Sequence, residues 1–133
     1  MLAIRRETDY ALKLLKILSQ SKGKVLSLNE VSKQTKISFL FLQKIARKLR
    51  LAKIISAHQG VDGGYQLLID PKKISLRLVI EAMEGKFCLL SCLSKNKEVK
   101  CVAADSSCTL KNKMSKINNR IIKILDAVKL KDI

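Results

Sequence analysis

Two short amphipathic segments joined by a very short connector constrain the fold of this chain more than any other feature. Ser27 has the chemistry of an N-cap for a helix that ends near Gln34, and Glu30 stands at the third position, as in a capping box. After the connector 35–37, Ser38 is placed to cap another helix. Two short helices with so tight a connection predict a helix-turn-helix.

The helix that follows Ser38 has two faces of opposite character. Four apolar residues recur at helical spacing and are expected to face the core: Phe41, Leu42, Ile45 and Leu49. The other face and the helix start supply the candidate DNA contacts, which are Ser38, Phe39, Leu40, Gln43, Lys44, Arg47 and Lys48. We expect Gln43 to reach base edges in the major groove, and Arg47 and Lys48 to contact phosphates.

A β-hairpin is predicted directly after this helix. The segments 54–57 and 65–69 have strand character, and the Gly-rich tip 59–64 separates them, so the hairpin is interpreted as a wing. His58 and Gln59, at the start of the tip, are further candidate DNA contacts. An amphipathic helix over 8–19 precedes the helix-turn-helix, and a helix capped by Ser75 follows the wing and ends at Gly85.

The C-terminal segment carries a long apolar seam. Its members are spaced 4, 3, 4, 3 and 4 residues apart: Leu110, Met114, Ile117, Ile121, Ile124 and Val128. A seam of this kind predicts a helix that pairs with its copy in a homodimer, although packing on the protein's own body is the alternative. The predicted fold is therefore mainly α with a small β-wing, divided into a winged helix-turn-helix (1–85), a cysteine-rich loop (86–108) and a dimerisation helix (109–133).

The charge of the chain points to a polyanionic partner. The formal net charge is +16, and no acidic residue occurs between Val31 and Val61, where the helix-turn-helix is predicted. The expected partner is double-stranded DNA. A symmetric dimer places two copies of the DNA-binding helix, so its operator is expected to be palindromic. No apolar run is long enough to span a bilayer, so we expect a cytoplasmic protein without a membrane partner. Phosphate-binding loops and catalytic triads are absent from the sequence, which argues against an enzyme.

All the cysteines of the chain lie between the wing region and the last helix. Cys88, Cys92, Cys101 and Cys108 have spacings that lack the paired knuckles typical of structural zinc. In a reducing compartment, disulfides are not expected. Three interpretations of the four cysteines stay open: they are metal ligands, reactive thiols or ordinary core residues.

Several short segments occur together in an order that resembles one family. They are 7–12 (ETDYAL), 37–50, 60–65 with its GGY core, and 79–85 (VIEAMEG). The set is similar to the Rrf2 family of bacterial regulators, which includes an iron-sulfur biogenesis regulator, nitric-oxide-sensing repressors and a cysteine-metabolism repressor. The resemblance implies a winged helix, a long C-terminal dimerisation helix and, in many members, an iron-sulfur cluster that switches DNA affinity.

The resemblance also implies a set of cluster ligands. Cys92, Cys101 and Cys108 match the order of the family's loop cysteines, with eight and six residues between them. Asp9 matches the position at which relatives use an acidic residue as the fourth ligand, while Glu7 and Cys88 are alternatives. The implied function is a transcriptional regulator, in most cases a repressor, that senses iron-sulfur status, nitric oxide or redox state through a [2Fe-2S] or [4Fe-4S] cluster. The alternatives are a metal-free thiol regulator, a zinc site, unused cysteines, or an iron-sulfur protein that does not bind DNA.

Overall fold

The computed structural model describes residues 3–94 and 108–133, and within them it has the predicted mainly α architecture with a small β-wing. Two one-turn 3-10 helices occur at Ser91–Leu93 and Leu130–Asp132. The regular elements in chain order are α1 (Arg6–Gln20), α2 (Leu28–Thr35), α3 (Phe39–Leu51), β1 (Ile55–His58), β2 (Gly64–Leu67), α4 (Leu76–Glu84) and α5 (Thr109–Ala127). No helix in the described ranges is long and apolar enough to cross a membrane.

Serine side chains begin three of the helices, as predicted. The hydroxyl oxygens of Ser27, Ser38 and Ser75 each accept a backbone N–H from the first turn of the helix that follows, at 3.3, 3.3 and 3.1 Å. Such caps satisfy donors that a helix start otherwise leaves unpaired. Between α2 and α3, Lys36 adopts a left-handed conformation with φ 59°, which turns the chain sharply enough for the two helices to pack as a helix-turn-helix.

The hydrophobic core lies where α1, α3 and α4 meet. Leu14 of α1 and Ile45 of α3 are fully buried, and Val79 of α4 is almost so. Phe41, expected in the core, is only half-buried and meets the Tyr10 ring edge-to-face at a centroid distance of 5.4 Å. The core therefore holds one side of α3 firmly and leaves the other side outside the packed body.

The wing is a two-stranded antiparallel sheet in which Ile55 pairs with Leu67 and His58 with Gly64. Tyr65 also exchanges backbone hydrogen bonds with Leu26, at 2.8 and 2.9 Å, so the chain before α2 adds a bridge to β2. Gly64 is needed at this junction, because its φ is +156° and an added Cβ would collide with the Leu26 carbonyl. The wing is thereby held at a defined place beside the helix-turn-helix.

The C-terminus folds back onto the body instead of continuing as a helix to residue 133. Helix α5 ends at Ala127, and Leu130 is only 4% exposed within the same core as α1 and α3. Backbone hydrogen bonds from Leu76 to the Val128 carbonyl and from Leu130 to the Ile74 carbonyl hold this segment against the start of α4. Burial of one terminal leucine is favourable by about 2 kcal/mol, which stops the helix from extending away from the body.

The seam on α5 is largely uncovered in a single chain. Leu110, Ile117 and Ile124 are 63, 45 and 64% exposed. Met114 and Ile121, which belong to the same seam, are half-buried. An apolar row left this open on a charged helix is typical of a surface that is covered by another chain.

Candidate nucleic-acid interface

The outward face of α3 presents a row of side chains to solvent. Leu40, Gln43 and Arg47 follow one another at intervals of three and four residues and are all exposed. Phe39 stands next to this row and is 38% exposed. The opposite side of the helix is fully buried at Leu42 and Leu49, so solvent is the only place these outward side chains can point. A helix that presents amide, cationic and apolar groups in one row has the chemistry to contact base edges and phosphates.

Two lysines of α3 are engaged by an acidic residue of α1. The Lys44 and Lys48 ammonium groups donate to the Oε1 and Oε2 atoms of Glu7, each at 2.7 Å. These hydrogen bonds lower the pKa of the Glu7 carboxyl from its ordinary 4.5 to about 2. Glu7 therefore stays ionised at neutral pH and neutralises part of the positive charge on this side of α3.

Lys44 and Lys48 differ in how far they remain available to a ligand. The Lys44 side chain is 59% exposed, whereas that of Lys48 is 35% exposed and also donates to the Met83 carbonyl at 3.3 Å. Lys48 thus joins α3 to α1 and to the end of α4. Lys44 needs to exchange only the Glu7 carboxylate for a phosphate, since its other surroundings are solvent.

The link between Glu7 and α3 was not anticipated from the sequence. Glu7 lies in the first turn of α1, where an acidic side chain is ordinary because of the helix dipole. A second unanticipated acid, Glu84 of α4, accepts the Arg5 backbone N–H and the Thr8 hydroxyl at 2.8 and 2.5 Å, and so caps α1 from a distant element. Neither contact has a local signal, because the partners are at least 37 residues apart.

The wing offers a second surface beside α3. His58 at the end of β1 and Gln59 after it are both exposed. The tip itself turns through the Gly63 N–H donating to the Gly60 carbonyl at 3.0 Å. The structure therefore leaves both predicted wing residues accessible, and their contact with DNA stays a prediction.

The predicted cluster ligands are only partly within the described residues. Cys92 and Cys108 are free, half-buried thiols, and Cys101 lies outside the part of the chain that the structure describes. Asp9 is exposed and pairs with Lys13 at 2.8 Å, one turn along α1. Among residues 3–94 and 108–133, no three His, Cys, Asp or Glu side chains gather closely enough to hold a metal ion. The described part of one chain alone thus provides thiol donors but no assembled site.

Cys88 lies near this segment but in a different setting. Together with Ile80, Phe87 and Ile121 it lines a cavity of about 370 Å³ between α4, α5 and the N-terminal residues. The Cys88 side chain is half-buried. Next to it, the Leu89 N–H donates at 2.8 Å to the amide oxygen of Asn118, a buried residue of α5. This bond fixes the start of the cysteine-rich segment to α5.

A model of the Rrf2 family, described as iron-dependent transcriptional regulator, matches residues 4–133. The chain belongs to the Rrf2 family. This match supports a DNA-binding transcription regulator, and it accounts for the exposed row on α3 and the wing beside it. The resemblance inferred from the short motifs is confirmed.

Individual relatives agree with the family over nearly the whole chain. The HTH-type transcriptional regulator NsrR of Shouchella clausii is 28% identical over 127 residues, which cover 95% of this chain and 84% of NsrR. The solved structure of CymR (YrzC), the global cysteine regulator of B. subtilis, has a TM-score of 0.75 at 22% identity and covers 99% of this chain and 95% of CymR. T. potens IscR has a TM-score of 0.70 at 25% identity, with 98% of this chain and 85% of IscR covered.

Proposed function

We propose that this Rrf2 protein acts in the cytoplasm as a homodimer that binds a palindromic operator, with α3 in the major groove and the wing against the neighbouring backbone. The observation that carries the proposal is the exposed row of Leu40, Gln43 and Arg47 on a helix whose other side is buried. The row has no acidic member, and the formal net charge of +16 attracts DNA to the protein as a whole. A repressor is the form of regulation that we expect.

The experiment for this proposal is selection from a random duplex library at about 150 mM salt, followed by titration of the selected duplex against a random one. A dimer that neutralises six or more phosphates predicts a log–log salt slope of about −5 or steeper. Affinity that does not change between about 50 and 200 mM salt would contradict the proposal, since phosphate contacts always release counterions.

The dimer is proposed to form along α5. The exposed seam residues Ile117 and Ile124 lie two turns apart on one face of α5, and most of the other exposed side chains of this helix are polar or basic. Pairing with a second copy removes this apolar surface from water. Ile117→Lys should therefore convert the dimer to a monomer in sedimentation, whereas Lys116→Ala, a change at an exposed neighbouring residue, should leave it dimeric. A monomeric wild type would refute the proposed interface.

The cysteine-rich segment is proposed to hold an iron-sulfur cluster through Cys92, Cys101 and Cys108, with Asp9 of the partner subunit as the fourth ligand. Support comes from the free thiols of Cys92 and Cys108 and from the family's description as iron-dependent. Thiolates suit iron-sulfur clusters, which supply redox and ligand-exchange chemistry when bound. Asp9 must release Lys13 to become a ligand, and an exposed pair of this kind is weak enough to break.

A metal-free thiol regulator is the second candidate. It is supported by the free, half-buried thiols of Cys92 and Cys108, which can be oxidised without a metal. The visible spectrum and the iron and sulfide content of protein purified without oxygen distinguish the two candidates. Iron and sulfide in equal amounts with charge-transfer absorbance support the cluster, and their loss in Cys92→Ser supports its ligand set. Colourless, iron-free protein whose DNA affinity responds to oxidants would support the thiol regulator instead.

A further inference from the structure

Two apolar side chains stand uncovered at the start of α3, where a DNA-reading helix meets its ligand. Leu40 is 76% exposed and Phe39 38% exposed, directly after the Ser38 cap. A single exposed leucine needs no explanation. Here, however, Leu40 lies in the same outward row as Gln43 and Arg47, so it belongs to the surface that would face DNA.

The position of Leu40 is not an extension of the core. Its near neighbour Leu42 is fully buried, and two residues of a helix differ in direction by about 200°. Leu51, which is 70% exposed, continues the same face one turn past Arg47 and lies about 16 Å along the helix axis from Leu40. The row thus has an exposed leucine at each end, and Leu40 is the one beside the helix N-terminus. Leu40 and its neighbour Phe39 are called the apolar tip.

We propose that Leu40, supported by Phe39, contacts the C5-methyl group of a thymine in each half-site, and so makes this protein selective for A·T pairs at that position. The inference rests on the proposed DNA-binding function and deepens it. The thymine methyl is the one apolar group on the major-groove edges of ordinary DNA, and it is the group that apolar side chains contact there.

The neighbouring chemistry favours DNA as the occupant of this apolar tip. Gln43, one turn along the row, can form a bidentate contact with adenine, so both side chains favour base pairs of the A·T type. The surrounding charge is positive on balance. Glu7 neutralises part of the charge of Lys44 and Lys48, but no acidic residue occurs between Val31 and Val61, and the start of α3 carries the positive end of the helix dipole. An apolar protein partner would have to tolerate that charge, whereas DNA is attracted by it.

The expected loss of DNA affinity follows from the free energy of burying one methyl group. Removing one buried methyl from a contact weakens binding about fourfold, and removing it from both half-sites of a palindrome weakens binding about 15-fold. Replacement of thymine by deoxyuridine deletes this methyl and keeps base pairing and phosphate charge unchanged. The substitution therefore separates methyl recognition from every other contact.

The experiment begins with a duplex that the wild-type protein selects from a random library. The thymines of its half-site are then replaced by deoxyuridine, one at a time. Fluorescence anisotropy at fixed salt measures the affinity of each duplex. We expect one thymine position per half-site whose replacement weakens the wild type about fourfold, or about 15-fold when both half-sites are changed. Leu40→Ala should lose this sensitivity, while Leu51→Ala, an equally exposed leucine of the same helix, should retain it.

Each other outcome overturns the inference. If deoxyuridine has no effect on the wild type at any position, or if Leu40→Ala keeps the penalty, Leu40 does not read a thymine methyl. If Leu40→Ala binds every duplex as the wild type does, the apolar tip faces something other than DNA, such as a protein partner. Failure to enrich any duplex would refute the DNA-binding function itself, and this inference with it.

Discussion

Removal of the Arg47 guanidinium should measurably reduce the electrostatic part of DNA binding. Arg47 is exposed on the outward row of α3 and has no ion-pair or hydrogen-bond partner among the described residues. Its charge is therefore available to a phosphate without breaking an existing contact. Lys48 is different, because Glu7 and the Met83 carbonyl already hold it.

The magnitude follows from counterion release. Each phosphate contact contributes about 0.9 to the slope of log affinity against log salt, so Arg47→Ala should make the slope of a dimer shallower by about 1.8. Between about 50 and 200 mM salt the wild type should then lose about 12-fold more affinity than the variant. The loss should be the same for selected and random duplexes, since a phosphate contact carries no sequence information.

The assay is fluorescence anisotropy of a labelled duplex titrated with protein at several salt concentrations. Lys123→Ala removes one positive charge from an exposed position on α5, away from the face of Ile117 and Ile124, and serves as the control. An unchanged slope for Arg47→Ala would refute the assignment of Arg47 to a phosphate. An equal change for Lys123→Ala would show that only the net charge matters.

The other predictions concern stability and the wing. Because the folded-state pKa of Glu7 is about 2, below its ordinary 4.5, the stabilisation it provides is complete above pH 4.5 and is lost as pH falls through 2. Glu7→Gln should lower the urea midpoint of unfolding at pH 7, and the difference from wild type should disappear near pH 2. A difference that does not depend on pH would show that the ion pairs of Glu7 with Lys44 and Lys48 do not stabilise the fold. Gly64→Ala should weaken DNA binding and lower the melting temperature more than Gly60→Ala, since both have positive φ but only Gly64 lies against the Leu26 backbone. Equal effects would mean that the close approach is unimportant. Leu130→Ala should cost about 2–5 kcal/mol of unfolding free energy by chemical denaturation, and a loss below 0.5 kcal/mol would show that the terminus is not part of the core.

The parts of the fold that depend on local chemistry were predictable from the sequence. The caps at Ser27, Ser38 and Ser75 each act within three residues, and the helices begin where those serines predict. The outward residues of α3 were predictable for the same reason, because helical periodicity alone separates Gln43 from the buried Leu42.

The contacts that depend on chain folding were not predictable. Glu7 reaches Lys44 and Lys48 only because α1 packs against α3, and Glu84 caps α1 only because α4 lies beside its start. The periodicity of the last segment likewise continued past Ala127, whereas burial of Leu130 in a distant core ends the helix there. In each case a tertiary contact overrides or adds to a pattern that is locally unremarkable.

The most direct measurement of the central claim, that α3 reads DNA sequence through its outward row, is the ratio of affinities for the selected and the random duplex. Gln43→Ala should lower this ratio by about fivefold or more per half-site, the discrimination expected of a bidentate contact to one base. Gln20→Ala, an exposed glutamine at the end of α1, is the control and should leave the ratio unchanged. A ratio that is the same in Gln43→Ala and in the wild type would contradict sequence reading by this face of α3.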